Sequence, residues 1–160
     1  MTKKQRLNLG CGTKIRKHFI NIDIRPLPGV DIVADVRKLP FEDESCSKII
    51  ADDILEHLPT PDIPSTLLHW YNLLAPGGKL IIKTPNLETI TYRYSIGEIN
   101  SEEMVRLIFG NQDYPENIHK TGFTPNLIRR LCHKLNIKEP EIVGSLPNMD
   151  INNMLIIIKR

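Results

Sequence analysis

Glycines and carboxylates fall in this chain where short apolar runs end. Leu7-Asn8-Leu9 runs into Gly10-Cys11-Gly12, and Ile20-Asn21-Ile22 runs into Asp23. Glycine lets a backbone approach a ligand where a Cβ would collide. A carboxylate at the tip of the next strand can accept hydrogen bonds from both hydroxyls of a ribose. Gly10, Gly12 and Asp23 therefore read as contacts to a nucleoside-bearing cofactor rather than as a bare turn. Asp35 follows a third apolar run in step with them, its other reading being a cap on the turn into Lys38. Cys11 reads as a small filler, since no base is placed to activate it.

Asp52, Asp53, Glu56 and His57 are the densest titratable group. If a helix begins near Asp53, then Asp53 and His57 share a face at i and i+4, as a general base and its orienting carboxylate would. The other reading is a helix start with acids at the positive end of its dipole and a partly buried His57. His119–Lys120, further along, could take a proton or bind an anionic substrate, or be plain surface loop. His57, His119 and Asp53 are the candidate catalytic residues. No metal is expected. The acids and His57 lack a second histidine at helical spacing, and Cys11, Cys46 and Cys132 lack metal or disulfide spacing.

The elements that must position these groups alternate between period-2 runs and period-3.6 patterns. Strands are expected over Arg6 to Gly10, His18 to Ile24, Val30 to Val36, Ser47 to Asp52, Lys79 to Thr84, Glu141 to Gly144 and Asn152 to Lys159. Their mostly apolar character implies burial on both faces, as in a parallel sheet. Helices are expected from a cap at Asp62 to about Leu74, from Thr124–Pro125 with Leu127, Ile128, Leu131 and Leu135 inward, and, more weakly, from Ser101 to Phe109. Tyr92 to Asn100 and Gly110 to His119 look irregular. About eight residues separate the first two strands, too few for an ordinary parallel crossover. The first helix must be truncated or replaced by a loop. The fold expected is α/β, one domain over residues 1–160.

Together these segments resemble the class I S-adenosylmethionine-dependent methyltransferases, well over Arg6 to Asn86 and loosely beyond. Four blocks carry the resemblance in order. They are Leu7-Asn-Leu-Gly-Cys-Gly12, Ile22–Asp23–Ile24, Ala34–Asp35–Val36 with Leu39–Pro40–Phe41, and Leu74-Ala-Pro-Gly-Gly-Lys-Leu-Ile-Ile82. Ile54-Leu-Glu-His-Leu58 is a further familiar stretch. Phe109 to Pro115, with Asn117 to Lys120 and Gly122 to Thr124, looks like a subgroup of short bacterial members. The resemblance implies a doubly wound, Rossmann-like seven-stranded sheet, mostly parallel, with an antiparallel last strand. It implies S-adenosylmethionine as cofactor. Asn8, Gly10, Cys11 and Gly12 would form the loop beside its methionine part. Asp23 would hold the ribose and Ile24 would pack on the adenine. Asp35 and the Val36 amide would meet the adenine edge, and Asp52 the ammonium or the substrate mouth. The helices that often roof the substrate are missing, and residues 87–123 are the local replacement.

The leading reading is methyl transfer to oxygen or nitrogen of a small molecule, plausibly sugar- or nucleotide-linked. A homodimer or partner protein could cover the open site, and a non-catalytic cofactor-binding subunit is a rival. A dinucleotide oxidoreductase is disfavoured because Ile15 stands at the third glycine of its fingerprint. A nucleic-acid methyltransferase is disfavoured because Ala51-Asp-Asp-Ile replaces the signature such enzymes often show. A net charge of +2 over 160 residues gives no global pull toward nucleic acid or membrane. The odd, scattered cysteines and the lack of an apolar leader suit a reducing, cytoplasmic setting.

Overall fold

The computed structural model describes residues 4–144 and 150–160. Seven strands form one sheet: β1 Gln5–Leu9, β2 Ile20–Asp23, β3 Ile32–Val33, β4 Cys46–Asp52, β5 Leu74–Pro85, β6 Glu141–Val143 and β7 Asn153–Lys159. Their order is β3-β2-β1-β4-β5-β7-β6. The first five are parallel; β7 runs antiparallel between β5 and β6. The chain winds outward from β1 to β3, then returns to lay β4 against β1. That reversal opens a crevice beyond the carboxyl ends of β1 and β4, where sheets of this kind bind ligands. The architecture expected from the sequence is the one observed. Residues 145–149, inside the expected final hairpin, lie outside the described residues.

The middle strands are apolar because both faces are covered. Leu7, Leu9, Ile49, Ala51, Leu80 and Ile82 are buried and belong to one core with Ile156 and Ile158. Helix α1, Ile63–Leu73, turns Ile63, Leu67 and Trp70 into that core. Trp70 also donates its indole N–H to the Val36 carbonyl at 2.8 Å. The contact ties α1 to the backbone just beyond β3, where a ligand would meet Asp35 and Val36.

Between β1 and β2 no helix forms, as the short spacing requires. Two buried asparagines brace that loop instead. Asn8 donates its amide to the Lys14 carbonyl and to Asn21 Oδ1, both at 2.9 Å, and Asn21 Oδ1 accepts the Arg16 N–H.

Several boundaries differ from expectation. Helix α2, Leu87–Ser95, occupies part of the stretch read as irregular. It buries Ile90 alone, so its sequence shows no apolar stripe, and Asn86 starts it by accepting from the Glu88 N–H. Helix α3, Ser101–Phe109, keeps its expected bounds and is capped by Asn100, whose side chain accepts the Glu103 N–H. Asp62 caps nothing; its carboxylate pairs with Arg37 at 2.6 Å. In α4, Pro125–Lys134, Thr124 does cap, but Leu127 is exposed and Cys132 takes the inner face with Ile128. No described helix is long and apolar enough to cross a membrane.

Candidate active site

A cavity of about 190 Å³ lies beyond the ends of β1, β2 and β4. Gly10, Asp23, Ile24, Asp35, Val36, Asp53 and His57 all line it. Ile54, Leu58 and Pro59 add an apolar wall, and Tyr114 and Lys120 reach it from the segment after α3. Gly10 has φ +58°, and a Cβ there would lie 2.4 Å from Ile54 Cδ1. The glycine lets the β1 loop and the post-β4 segment close on each other at the cavity floor.

Asp23 is buried at the tip of β2. Its Oδ2 accepts the Gly12 N–H at 2.7 Å, and its Oδ1 accepts from the Arg25 backbone N–H at 2.9 Å and from Arg25 Nε at 3.2 Å. Asp35 repeats the pattern one strand over. It accepts the Arg37 backbone N–H at 2.9 Å, and the Arg37 guanidinium reaches both its oxygens. Those bonds hold the Asp35 carboxyl below its ordinary range. Each carboxylate is thus aimed into the cavity by the arginine two residues on. The Arg25 guanidinium also stacks over Tyr114 at 4.5 Å.

These residues suit a nucleoside: two carboxylates beside neighbouring strand ends, with Ile24 and Val36 next to them. A carboxylate has about four acceptor positions, and Asp23 already uses three. Pockets for whole drug-sized ligands and cofactors span roughly 300–1,000 Å³, more than this cavity offers. Arg25 Nε holds one of the Asp23 acceptor positions that a ribose would need, and the Arg25 side chain itself lines the cavity.

Asn8, Cys11, Gly12 and Asp52, also expected at the cofactor, do not line this cavity. Asn8 faces the loop it braces. Buried Cys11 donates its thiol to the Gly12 carbonyl at 3.6 Å, and burial raises its pKa. Gly12 serves through its N–H on Asp23. The Asp52 carboxylate is taken by Arg16 at 2.6 Å. The expected Asp53–His57 pair on one helical face does not form. Asp53 has φ +54° and precedes a single 3-10 turn, Leu55–His57. Its carboxylate instead binds Lys83 at 2.6 Å and Lys14 at 3.3 Å.

His57 meets His119, its ring edge-on at 4.9 Å. The His57 Nδ1–H donates to the Ile118 carbonyl at 3.1 Å, and the His119 Nδ1–H to the Ile108 carbonyl at 3.3 Å, near the open end of α3. Gly110 turns the chain back at φ +80°, and a Cβ there would lie 2.5 Å from the Asn117 carbonyl. That turn delivers His119 to the site. Burial lowers both imidazoles' affinity for a proton, and each lies near further charges. Glu56, beside them, is buried; its Oε2 accepts from Thr84 Oγ1 at 3.0 Å, and burial pushes its carboxyl up to about 8. The segments are stitched together where Lys120 and Thr121 donate their N–H groups to the Glu56 carbonyl.

Arg25, Arg37 and Tyr114 were not singled out by sequence reasoning. The repeated Asp-x-Arg at residues 23–25 and 35–37 is a signal that could have found the first two. Tyr114 carries none, since its partner is distant in sequence.

The family model for a methyltransferase domain matches residues 7–82. Among curated proteins none matches the sequence at a significant level. Similar solved structures include an S-adenosylmethionine-dependent methyltransferase from Thermotoga maritima, described as a possible histamine N-methyltransferase. It is 16% identical, with a TM-score of 0.67 over 99% of this chain and 83% of that one. One from Archaeoglobus fulgidus is 14% identical, with a TM-score of 0.67 over 99% and 87%. A third, 14% identical with a TM-score of 0.66 over 99% and 84%, comes from a complex with the Haloferax volcanii methyltransferase activator Trm112. Residues 7–82 thus match a methyltransferase domain, the whole chain shares the fold of S-adenosylmethionine-dependent methyltransferases, and the cofactor these likenesses imply is S-adenosylmethionine.

Proposed function

We propose that this protein methylates an oxygen or nitrogen of a small-molecule acceptor, with His57 and His119 at the point where the acceptor loses its proton. The observation that carries this reading is the imidazole pair, His57 lining the cavity and His119 packed against it, each with its N–H committed to a carbonyl. The Nδ1–H tautomer leaves each Nε2 as a free base. S-adenosylmethionine supplies the methyl group on a sulfonium centre. Asp23 and Asp35 hold its nucleoside, and the wall of Ile54, Leu58 and Pro59 excludes water. Asp53 acts here as the anchor of Lys83 and Lys14, not as a base. Lys120, which lines the cavity, suits an acceptor bearing phosphate, such as a nucleotide-linked sugar.

The test is turnover with labelled cofactor across phosphorylated sugars and nucleotide sugars, wild type against His119→Ala. General-base loss costs about 10²–10⁴-fold in kcat, with cofactor affinity unchanged. Equal turnover in His119→Ala would remove this role.

A covering partner or second copy is also proposed. Tyr92, Ile96, Val105 and Phe109 of the α2–α3 region are exposed, and one similar structure is seen with an activator protein. Sedimentation of the chain alone, and activity measured over a range of protein concentration, test it.

A further inference from the structure

Glu56, His57 and His119 each offer a ligand atom, and these atoms lie within 4.8 Å of one another. We propose that these three side chains form a binding site for one divalent first-row transition-metal ion.

The case rests on how the ligands are held. A metal-bound histidine nearly always donates its second ring N–H to a carbonyl or carboxylate, which fixes ring and tautomer. Both imidazoles have that support in place, from Ile118 and Ile108. Glu56 has its own, since Thr84 Oγ1 pins one carboxylate oxygen. Glu56 is 1% exposed, and a carboxylate is rarely buried so deeply unless paired or bound to a metal. The backbone bonds from Lys120 and Thr121 to the Glu56 carbonyl fix the His119 segment against the Glu56–His57 turn. Ligand bonds of about 2.0–2.2 Å at tetrahedral angles put two ligand atoms about 3.3–3.6 Å apart. A pair at the 4.8 Å limit would close by about 1.2–1.5 Å, within reach of small side-chain rotations.

Two imidazoles and one carboxylate suit zinc, iron(II), cobalt(II) or manganese(II), whereas magnesium and calcium take oxygen ligands. Three protein ligands leave positions open to water or substrate. The sequence offered no such site because the second histidine comes from the far side of α3. The binding claim stands on geometry alone. Its use rests on the proposed acceptor site, where a bound ion would take over from the free imidazoles by acidifying the acceptor hydroxyl.

The experiment is titration of untagged, metal-stripped protein with cobalt(II), followed by visible d–d absorption, and with zinc(II) by calorimetry, both without cofactor. One equivalent should bind. His57→Ala and His119→Ala should each weaken binding by more than the roughly 10–100-fold that losing an outer partner costs. His133→Ala, an exposed histidine on α4, should bind as wild type. If either histidine variant unfolds by circular dichroism, Glu56→Gln is the replacement, with the same expected loss. Absence of a one-equivalent site, or variants that bind as wild type, would overturn the inference. S-adenosylmethionine binding to the same metal-free protein reports on the methyltransferase reading separately, so either can fail without the other.

Discussion

Replacing Asp23 tests the site at its most loaded residue. In the free protein its carboxylate receives the Gly12 N–H, the Arg25 N–H and Arg25 Nε. A bound ribose would replace the Arg25 side chain with two hydroxyl donors. A hydrogen bond to a charged group contributes roughly 1.5–3 kcal/mol, so two give roughly 3–6. Releasing the partly exposed Arg25 pair costs about 1 kcal/mol at most. The net, roughly 2–5 kcal/mol, is about 30- to 4,000-fold in affinity. Calorimetric titration of Asp23→Ala with S-adenosylhomocysteine reads that loss directly. Asp23→Asn separates fold from binding, because its amide oxygen still accepts the Gly12 N–H. It should melt near wild type while binding at least tenfold more weakly. Arg25→Ala should bind no more weakly than wild type, since that side chain stands in the way. Wild-type affinity in a folded Asp23→Ala, or a greater than tenfold loss in Arg25→Ala, would refute the reasoning.

Gly10→Ala should destabilise by roughly 2–5 kcal/mol, about 1–2 from left-handed backbone and about 1–3 from overpacking Ile54. Denaturant unfolding checks it, and adding Ile54→Ala should recover only the steric part. Glu56 gives a pH signature. Its folded pKa of about 8 lies above the ordinary 4.5, so its contribution is fully present below pH 4.5 and is lost as pH rises through 8. In chelator, wild type should lose a few kcal/mol over that window relative to Glu56→Gln, read as a difference in melting temperature. Parallel pH profiles for the two proteins would show that the carboxyl is not held protonated.

The parts of the site that were legible are those set by strand ends. Gly10, Asp23 and Asp35 follow apolar runs, and a parallel sheet brings the ends of neighbouring runs to one crevice. The loop between β1 and β2 followed from chain length alone. What stayed hidden depends on backbone irregularity or distant partners. Asp53 was placed on a helix with His57 because the spacing allowed it, but its left-handed φ breaks that face and Lys83 takes the carboxylate. Asn8 and Asp52 sit in the right motifs, yet Asn21 and Arg16 claim them. Helix α2 packs mainly through Ile90, too little apolar surface for periodicity to register. His119 could be noticed as a titratable residue, but its meeting with His57 depends on the turn at Gly110.

The most direct measurement is calorimetric titration of the folded protein with S-adenosylmethionine and S-adenosylhomocysteine, with NAD as the control. Saturable, one-to-one binding of the first two with no response to NAD is the expected result. Heat from NAD alone, or from none of the three, would contradict the assignment of this crevice to S-adenosylmethionine.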